Sequence, residues 1–203
     1  ARGPVSATRT ARRAASPRWA GGEGPRRIET ARVRLRPWRE TDRAPLAAMH
    51  SDEEVMADYG GPLARADSDA KLDRYAAAFE TYGFSRLVLE RLDGTFLGYV
   101  GVMPIWPTHP VAPGVEIGWR LVRSAWGAGY ASEGARAVLR DGFRRHGWDE
   151  VLSYTAPDNA RSQAVMARLG LARDQGRDFI ANDDAAAAWT GLVWVARPDM
   201  DWS

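Results

Sequence analysis

The sequence predicts a mixed α+β domain, an α/β arrangement in which short strands and amphipathic helices alternate from Ile28 onward. Two β-rich runs are separated by an Asp-Gly turn signal, so at least this part of the sheet is expected to be antiparallel. The chain has 203 residues, of which 45% are hydrophobic and 27% charged, close to the average soluble globular protein. These observations together favour one domain with a substantial core.

The composition excludes several classes of site. Cysteine is absent, which removes disulfides, thiolate metal ligands and cysteine nucleophiles. His50, His109 and His146 are far apart and form no helix-spaced ligand pair, so no metal is expected. No apolar run approaches the length that spans a bilayer, and we expect a cytoplasmic protein without a membrane partner.

The basic charge is concentrated at the N-terminus. Residues 1–27 contain seven arginines and one acid, a net charge of +6, so the other 176 residues carry −4 of the overall +2. A disordered extension, an organelle transit peptide and an arm for RNA all fit this stretch, and the disordered extension is favoured. We therefore divide the chain into an extension over 1–27 and a domain over 28–203, and nucleic acid is not expected as a partner.

The first predicted elements are short. Arg32–Arg36 alternates as a strand that Pro37 ends, and residues 41–49 form a helix. Ser51–Glu54 is a capping box that opens another short helix.

A longer helix and a hairpin follow. Residues from about 68 to 82 form a helix that Gly83 ends. Residues 84–91 and 95–103 are antiparallel strands, because Asp93-Gly94 supplies the positive φ angles of a tight turn. The helix has one apolar stripe, formed by Leu72, Tyr75, Ala76, Phe79 and Tyr82.

The second half repeats the alternation. Strands are predicted over 115–121, 150–155 and 192–196, and helices over about 130–146 and 159–169.

The turn before the 130–146 helix carries the chemistry. Ser124–Ser132 takes a strand through two glycines into a helix, so backbone N–H groups face outward where a phosphate can bind, and the Ser132 hydroxyl can add a donor. An ordinary tight turn fits the same residues. No Gly-Lys-Ser/Thr follows, which excludes a P-loop, and the third glycine of the dinucleotide fingerprint is missing.

Four blocks follow one another along the second half of the chain: 115–121, 125–135, 159–162 and 165–170. Their residues, order and spacing resemble the GNAT superfamily of N-acetyltransferases, in its RimJ/RimL-like branch. The opening stretch 30–38 resembles the first strand of the same branch.

The resemblance implies a GNAT-like fold: a mostly antiparallel central sheet, flanked by helices and splayed between its fourth strand (115–121) and its fifth, with acetyl-CoA in the gap. The pantetheine arm would pair with the backbone at Trp119 and Leu121. Asn159 and Ser162 match positions that hold the coenzyme, although Asn159 also suits a helix cap. The pyrophosphate would lie on Trp126, Gly127, Ala128, Gly129, Tyr130 and Ala131, with Ser132 assisting.

Direct transfer to an amine needs a base and a proton donor for the thiolate. Glu116, on the strand beside the thioester, is the candidate base, and a solvated residue or an ion-pair partner for an arginine are the alternatives. The family's usual tyrosine acid is replaced by Met166, which cannot donate a proton. Tyr154 and Ser162 are the catalytic candidates in its place, with Ser153 or solvent as further donors.

The expected acceptor is a small-molecule amine or a protein N-terminus, and the protein is expected to be a monomer or a homodimer. An aminoglycoside-type acetyltransferase and a catalytically silent CoA-binding module are the alternatives. Aromatic and acidic side chains suit a cationic amine, although Tyr75 and Tyr82 also suit core packing. The candidates are Trp38, Tyr59, Tyr75, Tyr82, Trp106, Trp189, Asp58, Asp183 and Asp184.

Overall fold

The computed structural model describes residues 27–181 and 188–203, so the predicted extension lies outside the described residues apart from Arg27. Within these ranges, no helix combines the length and the apolar character needed to cross a bilayer. The strands are β1 Ile28–Glu29, β2 Val33–Arg36, β3 Arg86–Arg91, β4 Phe96–Pro104, β5 Val115–Leu121, β6 Val151–Thr155, β7 Ala172–Arg173, β8 Phe179–Ala181 and β9 Trp189–Ala196. The helices are α1 Arg43–His50, α2 Glu53–Met56, α3 Arg65–Tyr82, α4 Tyr130–His146 and α5 Ala160–Arg168, and a short 3₁₀ turn, Ala57–Tyr59, follows α2.

One sheet organises the domain. Its strand order is β1-β2-β3-β4-β5-β6-β9-β7, and β8 also pairs with β9. Each of these neighbours is antiparallel except β5 and β6, which run parallel. The predicted mixed α+β fold with a mostly antiparallel sheet is confirmed.

Helices cover both faces of the sheet. Helix α4 buries Ala135, Leu139 and Phe143 against the inward residues of β2 to β5, which form the main core. On the opposite face, α1, α2 and α3 pack around Tyr99 of β4 in a second cluster. The sheet therefore divides the domain into an α4–α5 side and an α1–α3 side, and β5 presents residues to both.

The sheet is splayed between β5 and β6. These strands pair at a single position, Glu116 opposite Leu152. On their outer edges, in contrast, β5 pairs with β4 at seven positions and β6 pairs with β9 at five. One residue past the single pair, the Ser153 hydroxyl donates to the Ile117 carbonyl at 3.1 Å. We call the gap beyond this point the fork. It lies between the strands predicted as the fourth and the fifth, which are numbered β5 and β6 because β1 adds one strand at the start.

Two local predictions are wrong in detail. Asp52, rather than Ser51, caps α2, because the helix begins one residue later than a capping box on Ser51 requires. The Asp52 carboxylate accepts the N–H groups of Glu54 and Val55 at 2.9 and 3.1 Å. The Ser51 hydroxyl instead donates to the Ala48 carbonyl at 2.9 Å in the preceding helix.

The predicted hairpin between β3 and β4 is present, but Asp93 does not have the positive φ angle that was predicted for it. Only Gly94 has a positive φ, +90°, and no described non-glycine residue does. The Asp93 carboxylate accepts the Thr95 N–H at 2.9 Å, which closes the turn through a side chain.

Helix α3 begins at Arg65, earlier than predicted, and ends at Gly83 as expected. Its stripe buries Leu72 and Tyr75, but Ala76 is exposed and Ala78 is buried instead. Ala76 and Ala78 lie at opposite edges of the stripe, each about 80° from its centre, and the packing covers only the Ala78 edge.

His50, the last residue of α1, is completely buried. Its Nδ1 lies 2.8 Å from the Ser68 hydroxyl, and its Nε2 has no hydrogen-bond partner in the described parts of the chain. Burial, together with the smaller effect of the positive charges of Lys71 and Arg120, lowers the pKa of His50 from 6.5 to about 4. The folded protein therefore keeps this ring neutral over a range in which an unfolded histidine is protonated.

Stability is predicted to depend on pH through His50. Between pH 6.5 and about 4 the unfolded chain binds one proton more at this residue, so stability falls as the pH falls, by about 3 kcal/mol in total. Urea unfolding of the wild type and His50→Gln across this range measures the effect. The difference between the two profiles should shrink toward acid pH, and parallel profiles would contradict the assignment.

Candidate active site

A cavity of about 360 Å³ opens at the fork. One wall is the end of β5 at Trp119, Arg120 and Leu121, and the opposite wall is the first two turns of α5. Its floor is the turn between β5 and α4 together with the start of α4. The cavity therefore joins the unpaired edge of a strand to the N-terminus of a 17-residue helix.

The turn before α4 and the first residues of this helix form a cradle of backbone N–H groups, which we define as residues 126–132. Within it, the Trp126 N–H already donates to the Arg123 carbonyl at 3.1 Å. Gly127 and Gly129 have φ angles of +74° and +81°, and Gly129 caps α4 without a side-chain hydrogen bond. A Cβ atom on Gly127 would meet nothing within 4 Å, so the cradle is open to the cavity. The first N–H groups of a helix have no partner within the helix, and they attract negative charge.

Ser132, in the first turn of α4, lines the same cavity and is buried. Its hydroxyl oxygen has no hydrogen-bond partner among residues 27–181 and 188–203. A buried polar group without a partner costs about 1–3 kcal/mol, so an unpaired hydroxyl beside unpaired N–H groups indicates a ligand site.

Arg32 supports the cradle from behind. Its Nη1 donates to the Ala128 carbonyl at 3.0 Å, and its Nε donates to Glu133 at 2.7 Å. The Thr30 hydroxyl also donates to Glu133, at 2.5 Å. Burial would raise the pKa of Glu133, but the hydrogen bonds from Thr30 and Arg32 outweigh it and lower the pKa. The Glu133 carboxylate is thus ionised and paired outside the cavity.

Two contacts join the walls around Trp126. Its indole N–H donates to the Leu121 carbonyl at 3.0 Å. From α5, the guanidinium carbon of Arg161 lies 4.0 Å from the centre of the indole ring. The Leu121 carbonyl predicted to meet the coenzyme therefore already accepts one hydrogen bond.

Asn159 caps α5, with its Oδ1 accepting the Ser162 N–H at 3.1 Å. Its Nδ2 donates to Asp58 at 2.9 Å. Capping, one of the two predicted roles, is therefore confirmed, and the amide also faces the cavity.

Glu116 lies on β5, on the α1–α3 side of the sheet. Its carboxylate accepts a hydrogen bond from Arg86, whose guanidinium is buried and also donates to the Gly101 carbonyl. Gly118 makes room for this pair, since a Cβ there would lie 2.8 Å from Nη2 of Arg86. The ion pair that sequence reasoning left as an alternative is therefore present, while the Glu116 side chain keeps 17% of its surface exposed.

Tyr154, on β6, faces the same region. Its ring stacks on His109 at 4.7 Å between centres and meets Phe179 edge-on at 5.4 Å. Burial raises the pKa of Tyr154 well above 10, and the negative charge of Glu116 raises it further. The phenol therefore keeps its proton at neutral pH. Met166, 1% exposed, is part of the main core.

The aromatic residues predicted for the acceptor divide into two groups. Tyr75 is 4% exposed and packs in the second cluster, and Tyr82 packs on Phe84 and the main core, so the core alternative is confirmed for both. Tyr59 and Trp106 are 49% and 63% exposed. Of the remaining members of the set, Trp38 donates to the Arg86 carbonyl at 2.8 Å and Trp189 contacts Phe179. Asp183 and Asp184 lie outside the described residues.

Ten of the eleven predicted coenzyme residues line the cavity. The exception is Ala128, whose carbonyl accepts a hydrogen bond from Arg32. Glu116 and Tyr154 do not line it. Sequence reasoning missed Arg120 and Arg161 and placed Asp58 with the acceptor. The alternation of β5 could have indicated Arg120, because residues 116, 118 and 120 share one face of the strand.

Residues 32–172 match the Acetyltransferase (GNAT) domain family. The "Uncharacterized protein YkkB" of Bacillus subtilis is 30% identical over 147 residues, covering 71% of this chain and 84% of that protein. The "FsC-acetyl coenzyme A-N(2)-transacetylase" of Aspergillus fumigatus is 32% identical over 152 residues, covering 71% of this chain and 64% of the relative.

The fold is also found in solved structures. That of "RimL- Ribosomal L7/L12 alpha-N-protein acetyltransferase" superposes with a TM-score of 0.67 at 14% identity, over 85% of this chain and 94% of the other. At this identity the likeness shows the fold alone. Together with the family match over residues 32–172, the splayed sheet and the amide cradle establish that the chain belongs to the GNAT family of N-acetyltransferases.

Proposed function

We propose that this enzyme is a RimJ/RimL-like N-acetyltransferase that transfers the acetyl group of acetyl-CoA to a primary amine, either a protein N-terminus or a small amine. The observation that carries the proposal is the Ser132 hydroxyl within the cradle at the fork, which is buried without a hydrogen-bond partner in the part of the chain that the structure describes. The names of two relatives support an amine acceptor, since one specifies N(2) of FsC and the other a protein α-amine.

The cradle fits the diphosphate of the coenzyme. Two glycines with positive φ direct N–H groups outward, and the helix N-terminus behind them favours a dianion. The Ser132 hydroxyl would gain the hydrogen bond that it lacks. The residues that would hold the diphosphate are Gly127, Gly129, Tyr130, Ala131 and Ser132. Trp126 also lines the site, but its N–H already donates to the Arg123 carbonyl at 3.1 Å.

The pantetheine arm fits the fork. Beyond Glu116 the facing edges of β5 and β6 do not pair with each other, and an amide-containing arm can add to a strand edge. Trp119 and Leu121 lie on this edge and Asn159 and Ser162 on the opposite wall. Since the Leu121 carbonyl already accepts from Trp126, we assign the main backbone contact to Trp119.

Acetyl-CoA supplies an activated acyl group on a thioester. In our proposal the Glu116 carboxylate accepts the proton of the attacking amine, directly or through a water. Arg86 orients it by holding one oxygen, Oε1. Tyr154, whose raised pKa keeps the phenol protonated, and Ser162 are the proposed proton donors to the thiolate, with solvent as a further donor.

Glu116→Gln is expected to lower kcat by about 10²-fold, because the amide cannot accept a proton. Release of free CoA from acetyl-CoA, measured with peptides, polyamines and aminoglycosides as acceptors, gives the rates. Affinity for CoA should stay within about twofold, since Glu116 does not line the cavity.

Glu29→Gln makes the same chemical change on β1, four strands from β5, and should leave the rates unaltered. Full turnover by Glu116→Gln would remove the base assignment. Tight CoA binding with no turnover of any acceptor by the wild type would favour the silent module, for which the buried Met166 is the supporting observation.

Ser132→Ala is expected to affect stability and binding in opposite directions. The unliganded protein should be as stable as the wild type or up to about 1 kcal/mol more stable, because an unpaired buried hydroxyl is removed. Affinity for CoA should fall about tenfold, since a hydrogen bond to a charged group is lost. Urea unfolding and calorimetry measure the two effects.

Ser153→Ala is the matched control. Its buried hydroxyl donates to the Ile117 carbonyl, so its removal should cost about 1 kcal/mol of stability. If Ser132→Ala destabilised the protein equally, the Ser132 hydroxyl would have a partner in the free protein and the assignment would be wrong.

A further inference from the structure

A short segment lies across the mouth of the fork. It consists of α2 and the 3₁₀ turn after it, residues 53–59, and we call it the crossing segment. Val55 and Asp58 of this segment line the cavity together with the walls from β5 and α5. The segment therefore contacts the coenzyme site, although it belongs to the α1–α3 side of the sheet.

Asp58 uses both carboxylate oxygens to join the two walls. Arg120, on β5, donates to Oδ1 at 2.7 Å and to Oδ2 at 3.3 Å. Asn159, at the start of α5, donates to Oδ2 at 2.9 Å. The Arg120 guanidinium also donates to the Val55 carbonyl, which fastens the crossing segment to β5 a second time.

These contacts fix the orientation of the Asn159 amide. Its oxygen is occupied by the Ser162 N–H, so the NH₂ group must face Asp58. An amide nitrogen has two hydrogens, and Asp58 takes one. The other is available to a ligand, because Asn159 lines the cavity.

The pair is more enclosed than an ordinary surface ion pair. The side chains of Arg120 and Asp58 are 14% and 33% exposed. Glu54 of the same segment pairs with Arg123, and the side chains of Arg123 and Glu54 are 61% and 53% exposed. Exposed pairs contribute little, about 0–1 kcal/mol. The Glu54–Arg123 pair therefore provides an internal comparison for the effect of losing a carboxylate from this segment.

We propose that Asp58 is a positioning residue for the pantetheine arm. By holding Arg120 and Asn159 together, Asp58 sets the distance between the walls of the fork and aims the free Asn159 N–H at the arm. The inference rests on the proposed function for the identity of the ligand. The diphosphate is held separately by the cradle, and no hydrogen bond joins Asp58 to residues 126–132 in the described chain.

Calorimetry with two ligands tests the proposal. CoA reaches both the cradle and the fork, whereas ADP carries the diphosphate without the arm. Asp58→Ala should raise the Kd of CoA about tenfold, the loss expected for one hydrogen bond within an enclosed site, and leave the Kd of ADP unchanged. Glu54→Gln should change neither Kd.

A second variant tests the free N–H directly. Asn159→Ser keeps a side-chain oxygen that caps a helix well but has no amide N–H. It should raise the Kd of CoA about tenfold and leave the Kd of ADP unchanged, and an unchanged Kd of CoA would contradict the inference. This variant keeps the proposal testable even if Asp58→Ala folds poorly.

Each remaining outcome overturns a specific statement. Equal loss of CoA and ADP affinity in Asp58→Ala would indicate a general structural role. No loss of affinity for either ligand would show that Asp58 does not position the arm. Both outcomes would contradict the inference and leave the proposed function unaffected. Failure of the wild type to bind CoA would overturn the proposed function and the inference with it.

Discussion

The single residue pair between β5 and β6 is the constraint on which the site depends. Both strands are fully paired on their outer edges, so the gap between them cannot close by sliding of either strand. The hydroxyl of Ser153 satisfies the Ile117 carbonyl at the point where the ladder stops. A strand edge inside a protein is costly unless a ligand or side chain pairs with it, so the same feature that weakens the sheet creates a place for an extended ligand.

The face of β5 toward the α1–α3 side carries matched charges. Glu116 pairs with Arg86 and Asp58 pairs with Arg120, so neither predicted acid is left with an unbalanced negative charge in the described ranges. Lys71 adds a positive charge near Tyr59, with its nitrogen 4.1 Å from the ring centre, and burial lowers its pKa to about 8. The negative charge of Asp58 is therefore balanced within the protein, and the ring of Tyr59 is already next to two cations, Lys71 and Arg120.

Local pattern predicted the parts of the fold that depend on local physics. The range of β5 was predicted to the residue and α4 within the accuracy of a helix boundary, because alternation and 3.6-residue periodicity both arise from burial of one face. Strands β1, β7 and β8 have two or three residues, too few to show a period. The Asp58 contacts to Arg120 and Asn159 join residues 62 and 101 positions apart. Their pairing follows from the packing of whole elements, which no local pattern contains, and the same holds for Arg86 and Glu116.

The carboxylate of Glu133, one turn into α4, would repel a dianion if it faced the cradle. Arg32 and Thr30 hold it on the outer side of the helix, where the guanidinium lies 2.6 Å from it and balances its charge. The same guanidinium donates a hydrogen bond to the Ala128 carbonyl, whose oxygen would otherwise repel the anion. One arginine from the β1–β2 turn thus removes two repulsive groups, and the helix N-terminus keeps its positive potential for the ligand. This explains why a glutamate is tolerated beside a phosphate site, and why the first strands of the domain are linked to a cleft four strands away.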